Sequence, residues 1–338
     1  MRNTVFSDTT QLAGERPKKN IPNDAAADKQ KERFSFELFA PHFEDEEKQL
    51  AAERQLDETL PLLAAVKPEL ITVTFIGIGE EVRDRTFQLA TRLRRELPKE
   101  IDVGVHATRS GLLADQIRRL ADDLADAEIR HLVALGGNKT NDAAGYYKTT
   151  DEMVSDISHR HPEFKISVAV LPGRPDEIKN LRQKLHAGAS RAFSQYSRMD
   201  SYQGFLDFRE VARRQGVNIS IVPGIMIFTN RPRPGVLVDA QGVEVPSSMH
   251  RKFDKTEALA EHWGTSVVEA TRQIGVEITA RQICSLLNMG NTEFHFYTLD
   301  RPDCVEVIEQ FWPHRIDQPT RDALQEIRAR REAAAPRS

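Results

Sequence analysis

Short runs of apolar and β-branched residues alternate with amphipathic segments along most of the chain. Such runs, bounded by polar and turn-forming residues, are typical of buried strands. The pattern predicts eight strands, at residues 34–39, 70–77, 101–108, 131–137, 165–172, 191–196, 218–228 and 293–300.

The segments between these runs carry helical spacing. Leu113, Ile117, Leu120 and Leu124, for example, form one apolar stripe. Eight strands separated by helices within about 300 residues are typical of a (β/α)8 TIM barrel, and we predict this α/β fold as a single domain. A doubly wound open sheet is the alternative.

The two ends of the chain depart from the alternating pattern. Residues 1–31 are polar and lack a sustained apolar period, so we expect a disordered, mobile N-terminal extension. We assign residues 32–315 to the barrel and residues 316–338 to a charged C-terminal helix or tail.

Composition narrows the possible classes of function. The 338 residues include 47 Lys and Arg against 51 Asp and Glu, and the dispersed cations disfavour nucleic acid as a partner. No apolar run approaches the roughly 20 residues of a membrane span, so no membrane association is expected. Cys284 and Cys304 lack the spacing of metal ligands, which predicts no metal site and favours the reducing cytoplasm.

Glu37 is the most unusual residue of the first predicted strand. In an alternating strand Phe34, Phe36 and Leu38 point one way, whereas Ser35 and Glu37 point the other. A buried carboxyl group costs several kcal/mol unless it is paired or stays protonated with a raised pKa. The second condition is what a general acid requires, so Glu37 is a candidate catalytic acid.

Further polar residues occur where predicted strands end. In a (β/α)8 barrel the chemistry is located at the carboxyl ends of the strands. Candidates at these positions are Thr74, His106, Asn138 and Gln195. Each of them alone could be an ordinary structural residue. Several of them together with a buried Glu predict a functional site at the carboxyl end of the barrel.

A series of short motifs also occurs in order between residues 33 and 311. These motifs are Phe34-Ser-Phe-Glu37, Val73-Thr-Phe75, Arg83-Asp-Arg-Thr86, Val105-His106, Ile129-Arg-His-Leu-Val-Ala-Leu135, Ala187-Gly-Ala189, Ser194-Gln195, Val222-Pro-Gly-Ile225 and Phe294-His-Phe-Tyr-Thr-Leu299 before Arg301. In them the chain resembles the bacterial, single-domain methylenetetrahydrofolate reductases. The resemblance implies a (β/α)8 barrel with FAD, which passes hydride from a nicotinamide nucleotide to methylenetetrahydrofolate and yields 5-methyltetrahydrofolate.

The resemblance also implies roles for individual residues. Glu37 matches the general acid that protonates a folate nitrogen, so that the five-membered ring opens to an electrophilic iminium. The positions implied for folate binding are Gln195, Asn138, Tyr297 and Arg301. Gln195 also matches a nicotinamide contact, and Thr74 a residue at the nicotinamide or flavin. The positions implied for holding the flavin nucleotide are His106, Glu177 and Lys184.

The departures from the family pattern lie around the flavin. The family's Leu-Arg-Gly-Asp motif is Leu135-Gly-Gly-Asn138 here, its Tyr-Pro-Glu is Leu171-Pro-Gly173, and Glu177 replaces an Asp. The proton-transfer and most folate positions are retained. We therefore expect little or no FAD and a direct hydride transfer between the folate and NAD(P)H, with NADH favoured.

Two alternatives remain from the residues alone: an ordinary FAD-dependent reductase and a non-catalytic folate-binding relative. The residues also leave open the physiological direction, which could be oxidation of 5-methyltetrahydrofolate. A homo-oligomer is compatible with the sequence.

Overall fold

The computed structural model describes residues 32–74, 80–137, 145–194, 203–227, 229 and 247–334, so the predicted extension at 1–31 lies outside the described residues. The strands within these ranges are β1 Arg33–Phe39, β2 Leu70–Thr74, β3 Asp102–Thr108, β4 His131–Leu135, β5 Lys165–Val170, β6 Ala189–Ser194, β7 Ser220–Val222, β8 Gly224–Met226 and β9 Glu293–Tyr297. Every described strand pairing is parallel.

The strands follow one another around a nearly closed barrel. Their order is β7-β6-β5-β4-β3-β2-β1-β9-β8, without the reversal that a doubly wound sheet requires. The predicted (β/α)8 barrel is therefore confirmed, and the open-sheet alternative is wrong.

The predicted seventh strand is interrupted at Pro223, which has no N–H to donate to a neighbouring strand. Its first half, β7, pairs with β6, and its second half, β8, pairs with β9. The carbonyl oxygen of Pro223 accepts the His295 N–H at 3.1 Å. One predicted strand thus appears as two short strands that close the barrel.

Helices follow most of the strands and cover the outside of the barrel. Those described are α1 Glu46–Ala65, α2 Glu80–Glu96, α3 Ala114–Asp126, α4 Thr150–Arg160, α5 Glu177–His186, α6 Gln203–Arg214, α7 Ser247–Phe253, α8 Thr256–Trp263, α9 Val267–Asn288, α10 Asp303–Phe311 and α11 Gln318–Ala334. Side-chain caps help to define where they begin: Asp45 accepts the Lys48 N–H, and Ser266 accepts the Glu269 N–H.

The alternation of β1 separates the apolar core from the barrel interior. Phe34, Phe36 and Leu38 are buried in the large core between strands and helices. The Phe34 ring stacks on Phe294 of β9 and meets Trp312 edge-on at 4.8 Å. Burying such rings contributes about 1.5–3 kcal/mol each, which fixes the opposite face of β1 towards the barrel interior.

Charged side chains close the amino-terminal end of the barrel. Arg191 of β6 pairs with Glu69 at 2.9 Å and lies 3.7 Å from Glu293, while Arg33 pairs with Glu293. Because these ion pairs occupy the bottom of the barrel, the other end is available for chemistry.

The C-terminal helix α11 packs on the barrel through a buried face that includes Leu324 and Ile327. Beside it, the buried Arg272 of α9 binds three carboxylates, those of Glu269, Asp303 and Glu306. Two arginines of α11 extend this network, Arg328 to Glu306 and Arg331 to Asp303.

Two features are absent from the described part of the chain. No helix there has the length and apolar character needed to cross a membrane. Within the same ranges, no group of three or more His, Cys, Asp or Glu side chains is arranged to hold a metal ion.

Candidate active site

Glu37 lies inside the barrel, on the face of β1 opposite to Phe34 and Phe36, and its exposed fraction is 7%. Two imidazoles flank its carboxyl group. Oε2 of Glu37 is 3.6 Å from Nε2 of His106 and 3.5 Å from Nε2 of His295. The acid predicted from the strand pattern is therefore buried between two neutral bases.

His106 is held in place by two threonines of the neighbouring strand β2. Its Nδ1 lies 3.0 Å from the hydroxyl of Thr74, and its Nε2 lies 3.1 Å from the hydroxyl of Thr72. Both ring nitrogens are thus bonded within the barrel. The predicted site residues Glu37, Thr74 and His106 form one connected group.

His295 completes this group, and our sequence reasoning gave it no role. Its Nδ1 is 2.8 Å from the Ser35 hydroxyl, and its ring stacks on Phe193 at 4.2 Å. From sequence alone, a histidine between Phe294 and Phe296 is typical of a structural residue in the core of a strand. Its position in the alternation of β9 could have identified it, because that position places the side chain inside the barrel. Closure of the barrel then brings β9 beside β1.

Burial controls the protonation of all three groups. It raises the pKa of Glu37, although His106 acts in the opposite direction. Burial lowers the pKa of His106 to about 4, against the attraction of Glu37, and the pKa of His295 to about 3, with a further lowering from Arg191. Near neutral pH the site therefore holds neutral imidazoles and favours a protonated Glu37.

Tyr297 joins the ends of three strands above this group. Its hydroxyl donates to the carbonyl oxygen of Ser194 at 3.1 Å, and the Ser194 hydroxyl accepts the Gly224 N–H at 3.0 Å. A Cβ on Gly224 would lie 2.2 Å from the Ser194 oxygen and 2.6 Å from Cε2 of Tyr297. Glycine is required there because backbone and ring approach so closely.

Arg301 follows β9 at the same end of the barrel. Its guanidinium donates to the hydroxyl of Thr229, beyond the end of β8. Burial lowers the pKa of Arg301, while Asp303 opposes that effect. A cationic side chain thus connects two segments near the strand ends.

Asp300, next to Arg301, is a second, partly buried carboxyl group that sequence reasoning did not single out. Its Oδ1 accepts the Phe39 N–H at 2.8 Å, and its carbonyl oxygen accepts bonds from Gln55 and Thr59. Burial raises the pKa of Asp300 to about 7 against the Phe39 hydrogen bond. The residue has a left-handed backbone, with φ of 55°.

Glu177 and Lys184 form a separate pair on α5. The Lys184 ammonium donates to the carbonyl oxygen of Ala169 at 2.9 Å and lies 3.5 Å from Oε1 of Glu177. The described contacts do not join this pair to Glu37 or His106. Gln195 and Asn138 lie outside the described residues, so their expected roles stay predictions.

Comparison with known proteins identifies the family. The sequence matches the family model for methylenetetrahydrofolate reductase over residues 23–311. It is 28% identical over 276 residues to the 5,10-methylenetetrahydrofolate reductase of Escherichia coli (strain K12), covering 80% of this chain and 86% of that protein. The protein of the same name from Pectobacterium carotovorum subsp. carotovorum gives the same values.

A plant protein is also similar. Methylenetetrahydrofolate reductase (NADH) 1 of Arabidopsis thaliana is 24% identical over 290 residues, which are 79% of this chain and 46% of that protein. The chain therefore belongs to the methylenetetrahydrofolate reductase family, whose members are oxidoreductases that act on a folate.

Proposed function

We propose that this protein interconverts 5,10-methylenetetrahydrofolate and 5-methyltetrahydrofolate with a nicotinamide nucleotide, by direct hydride transfer and with little or no flavin. The observation that carries the proposal is Glu37, a buried carboxyl group with a raised pKa between the neutral His106 and His295. The raised pKa favours the protonated form of this group, which can donate its proton to a bound substrate.

Glu37 supplies the proton for the first step. It protonates the folate nitrogen that leaves the methylene carbon, and the five-membered ring opens to an iminium cation. Glu37 becomes a carboxylate beside that cation, so the new charges attract each other in a site of low dielectric constant.

Hydride transfer completes the reduction. The nicotinamide ring gives a hydride to the iminium carbon, which becomes the methyl group, and the nucleotide is oxidised. No electron relay is needed if donor and acceptor carbons approach to roughly 3–3.5 Å. Thr74, Gln195 and Tyr297 are our candidates for orienting the two substrates, and Arg301 is our candidate for a folate contact.

The contacts of His106 support a limited role for flavin. Both of its ring nitrogens are bonded to Thr72 and Thr74 inside the barrel, so neither is free to hold a flavin nucleotide. NADH is our preferred donor, in line with the name of the plant relative.

An ordinary FAD-dependent reductase is the second candidate, and one observation favours it. Among the described residues, Oε1 of the buried Glu177 accepts no hydrogen bond. That oxygen could accept a hydroxyl group of a flavin nucleotide. The two candidates share Glu37 as the proton donor and differ in the route of the hydride.

The test is a turnover assay combined with a visible spectrum. Purified protein should reduce methylenetetrahydrofolate with NADH and oxidise 5-methyltetrahydrofolate with NAD, and added FAD should change neither rate. NADPH and NADP measured in parallel give the nucleotide preference. A stoichiometric flavin band would favour the second candidate, and folate binding without turnover with either nucleotide would overturn both.

The cellular setting is part of the same proposal. Cys284 and Cys304 are both free thiols, which fits a reducing compartment, and we place the activity in the cytoplasm.

A further inference from the structure

His295 lies next to Glu37 and is almost completely enclosed, with an exposed fraction of 1%. Three contacts fix its ring. Nδ1 lies 2.8 Å from the Ser35 hydroxyl, one face stacks on Phe193, and the Tyr297 ring stands edge-on at 5.1 Å. The imidazole therefore has one orientation inside the barrel.

The other ring nitrogen of His295 has no hydrogen-bond partner among the described residues. A buried nitrogen without a partner is unfavourable, so the position calls for an explanation. Oε2 of Glu37 lies 3.5 Å from this Nε2, just beyond an ordinary hydrogen bond.

The contacts of Ser35 allow a tautomer in which Nδ1 of His295 carries the proton. The Ser35 oxygen lies 2.8 Å from Nδ1 of His295 and 3.5 Å from the carbonyl oxygen of Phe294, so Nδ1 can donate to it while the hydroxyl proton is directed towards Phe294. In that tautomer Nε2 carries a lone pair. A lone pair facing Glu37 stabilises a carboxylic acid, which can donate to it, and repels a carboxylate.

We infer that His295 is a positioning residue for the catalytic acid: its neutral imidazole, fixed by Ser35 and Phe193, accepts the proton-bearing oxygen of Glu37 and keeps that carboxyl group protonated and oriented. This inference rests on the proposed role of Glu37. The low pKa of His295 supports it, because an imidazole that stays neutral keeps its lone pair across the working pH range.

Other charged and titratable groups also act on this pair. They come from several elements around it and are His106 of β3, His131 of β4, Arg191 of β6 and Asp300 after β9. All of them stay in place when only His295 or Ser35 is changed, so their influence is common to those variants.

His131 provides a matched control. It is also buried in the barrel, its Nε2 is 2.8 Å from the hydroxyl of Ser167 on the neighbouring strand, and burial lowers its pKa to about 3. No described contact joins it to Glu37. His131→Phe therefore has the structural cost of replacing a buried histidine and leaves the acid with its partner.

The first experiment compares pH profiles of kcat/KM for methylenetetrahydrofolate. His295→Phe retains a ring against Phe193 but removes the acceptor, so the protonated form of Glu37 loses its hydrogen bond. We expect the apparent pKa of the alkaline limb to fall by about one unit. At pH values above that limb, kcat/KM should be about tenfold lower than in the wild type. His295→Gln, whose amide oxygen can accept, should recover part of the shift, and Ser35→Ala should show a smaller shift in the same direction.

The matched control, His131→Phe, should be less stable than the wild type but should leave the apparent pKa of the alkaline limb unchanged. If His295→Phe does not fold, His295→Gln and Ser35→Ala still provide the comparison. An alkaline limb that is unmoved in the folded variants, or that moves upward, overturns the inference.

A second measurement separates this inference from the proposed function. Infrared spectroscopy detects the C=O band of a protonated buried carboxyl group, and Glu37→Gln identifies the band by removing it. The midpoint of its titration should be lower in His295→Phe than in wild type, whether or not the protein turns over. An inactive wild type refutes the proposed function, whereas an equal or higher midpoint refutes the role of His295.

Discussion

Oε2 of Glu37 lies 3.6 Å from Nε2 of His106, and both side chains are buried inside the barrel. Burial lowers the pKa of His106 to about 4 and raises that of Glu37, so it favours the neutral imidazole and the protonated carboxyl group. The barrel thus favours a carboxylic acid over a carboxylate at Glu37, as a general acid requires.

Asp300→Asn should change how stability depends on pH. The pKa of Asp300 is raised from 3.8 to about 7 by burial, so between these values the folded protein binds more protons than the unfolded chain. The free energy of unfolding of the wild type therefore falls through this window as pH rises. Asp300→Asn has no titrating group at this position, so its free energy of unfolding should not fall in this way.

Urea denaturation of both proteins from pH 4 to pH 8.5 measures the effect. The advantage of Asp300→Asn should grow from about pH 4 to about pH 7 and then level off at about 4 kcal/mol. A difference that does not depend on pH would show that Asp300 titrates normally.

Gly224→Ala should destabilise the barrel strongly. The new Cβ would lie 2.2 Å from the Ser194 carbonyl oxygen, and backbone atoms cannot move aside as the end of a flexible side chain can. We expect a loss of about 2 kcal/mol or more in thermal or urea unfolding. Gly204→Ala, where the Cβ has open space, is the control and should be neutral or slightly stabilising. Equal stability of the two variants would contradict the packing described.

Arg272→Met should cost about 3–5 kcal/mol of unfolding free energy, because it leaves the carboxylate of Glu269 buried without its cation and leaves Glu306 with Arg328 alone. Arg281 on the same helix is exposed and pairs only with Glu277 in the described contacts, so Arg281→Met should cost less than about 1 kcal/mol. Urea unfolding of the two variants compares a buried network with a surface pair. A small loss for Arg272→Met would show that the buried carboxylates become neutral at little cost.

Arg301→Gln tests the expected folate contact. If the guanidinium binds a substrate acceptor group, KM for the folate should rise by about tenfold or more while kcat changes little. Steady-state kinetics with varied folate and saturating nucleotide measure both constants. A fall in kcat at constant KM would instead indicate a role in the chemical step.

Much of the barrel followed from local pattern. The alternation in Phe34, Ser35, Phe36 and Glu37 predicted which side chains face the helices and which face the interior, because this period reflects only the pleat of a strand. The interruption at Pro223 was missed, although the absence of a proline N–H is itself a sequence signal.

The site was less predictable, because its contacts join residues far apart in the chain. Glu37 could be identified from its own strand. The role of His295 depends on the closure of the barrel, which brings β9 beside β1. In the same way, the pairing of Lys184 with Ala169 and Glu177 depends on how a helix packs on a strand, which a motif does not specify.

The most direct test of the account is the rate of Glu37→Gln. The amide keeps the shape of the side chain but cannot donate an acidic proton, so kcat/KM for methylenetetrahydrofolate should fall about 10²- to 10⁴-fold. The dissociation constant for the folate should change little. Turnover equal to that of the wild type would contradict the assignment of Glu37 as the proton donor.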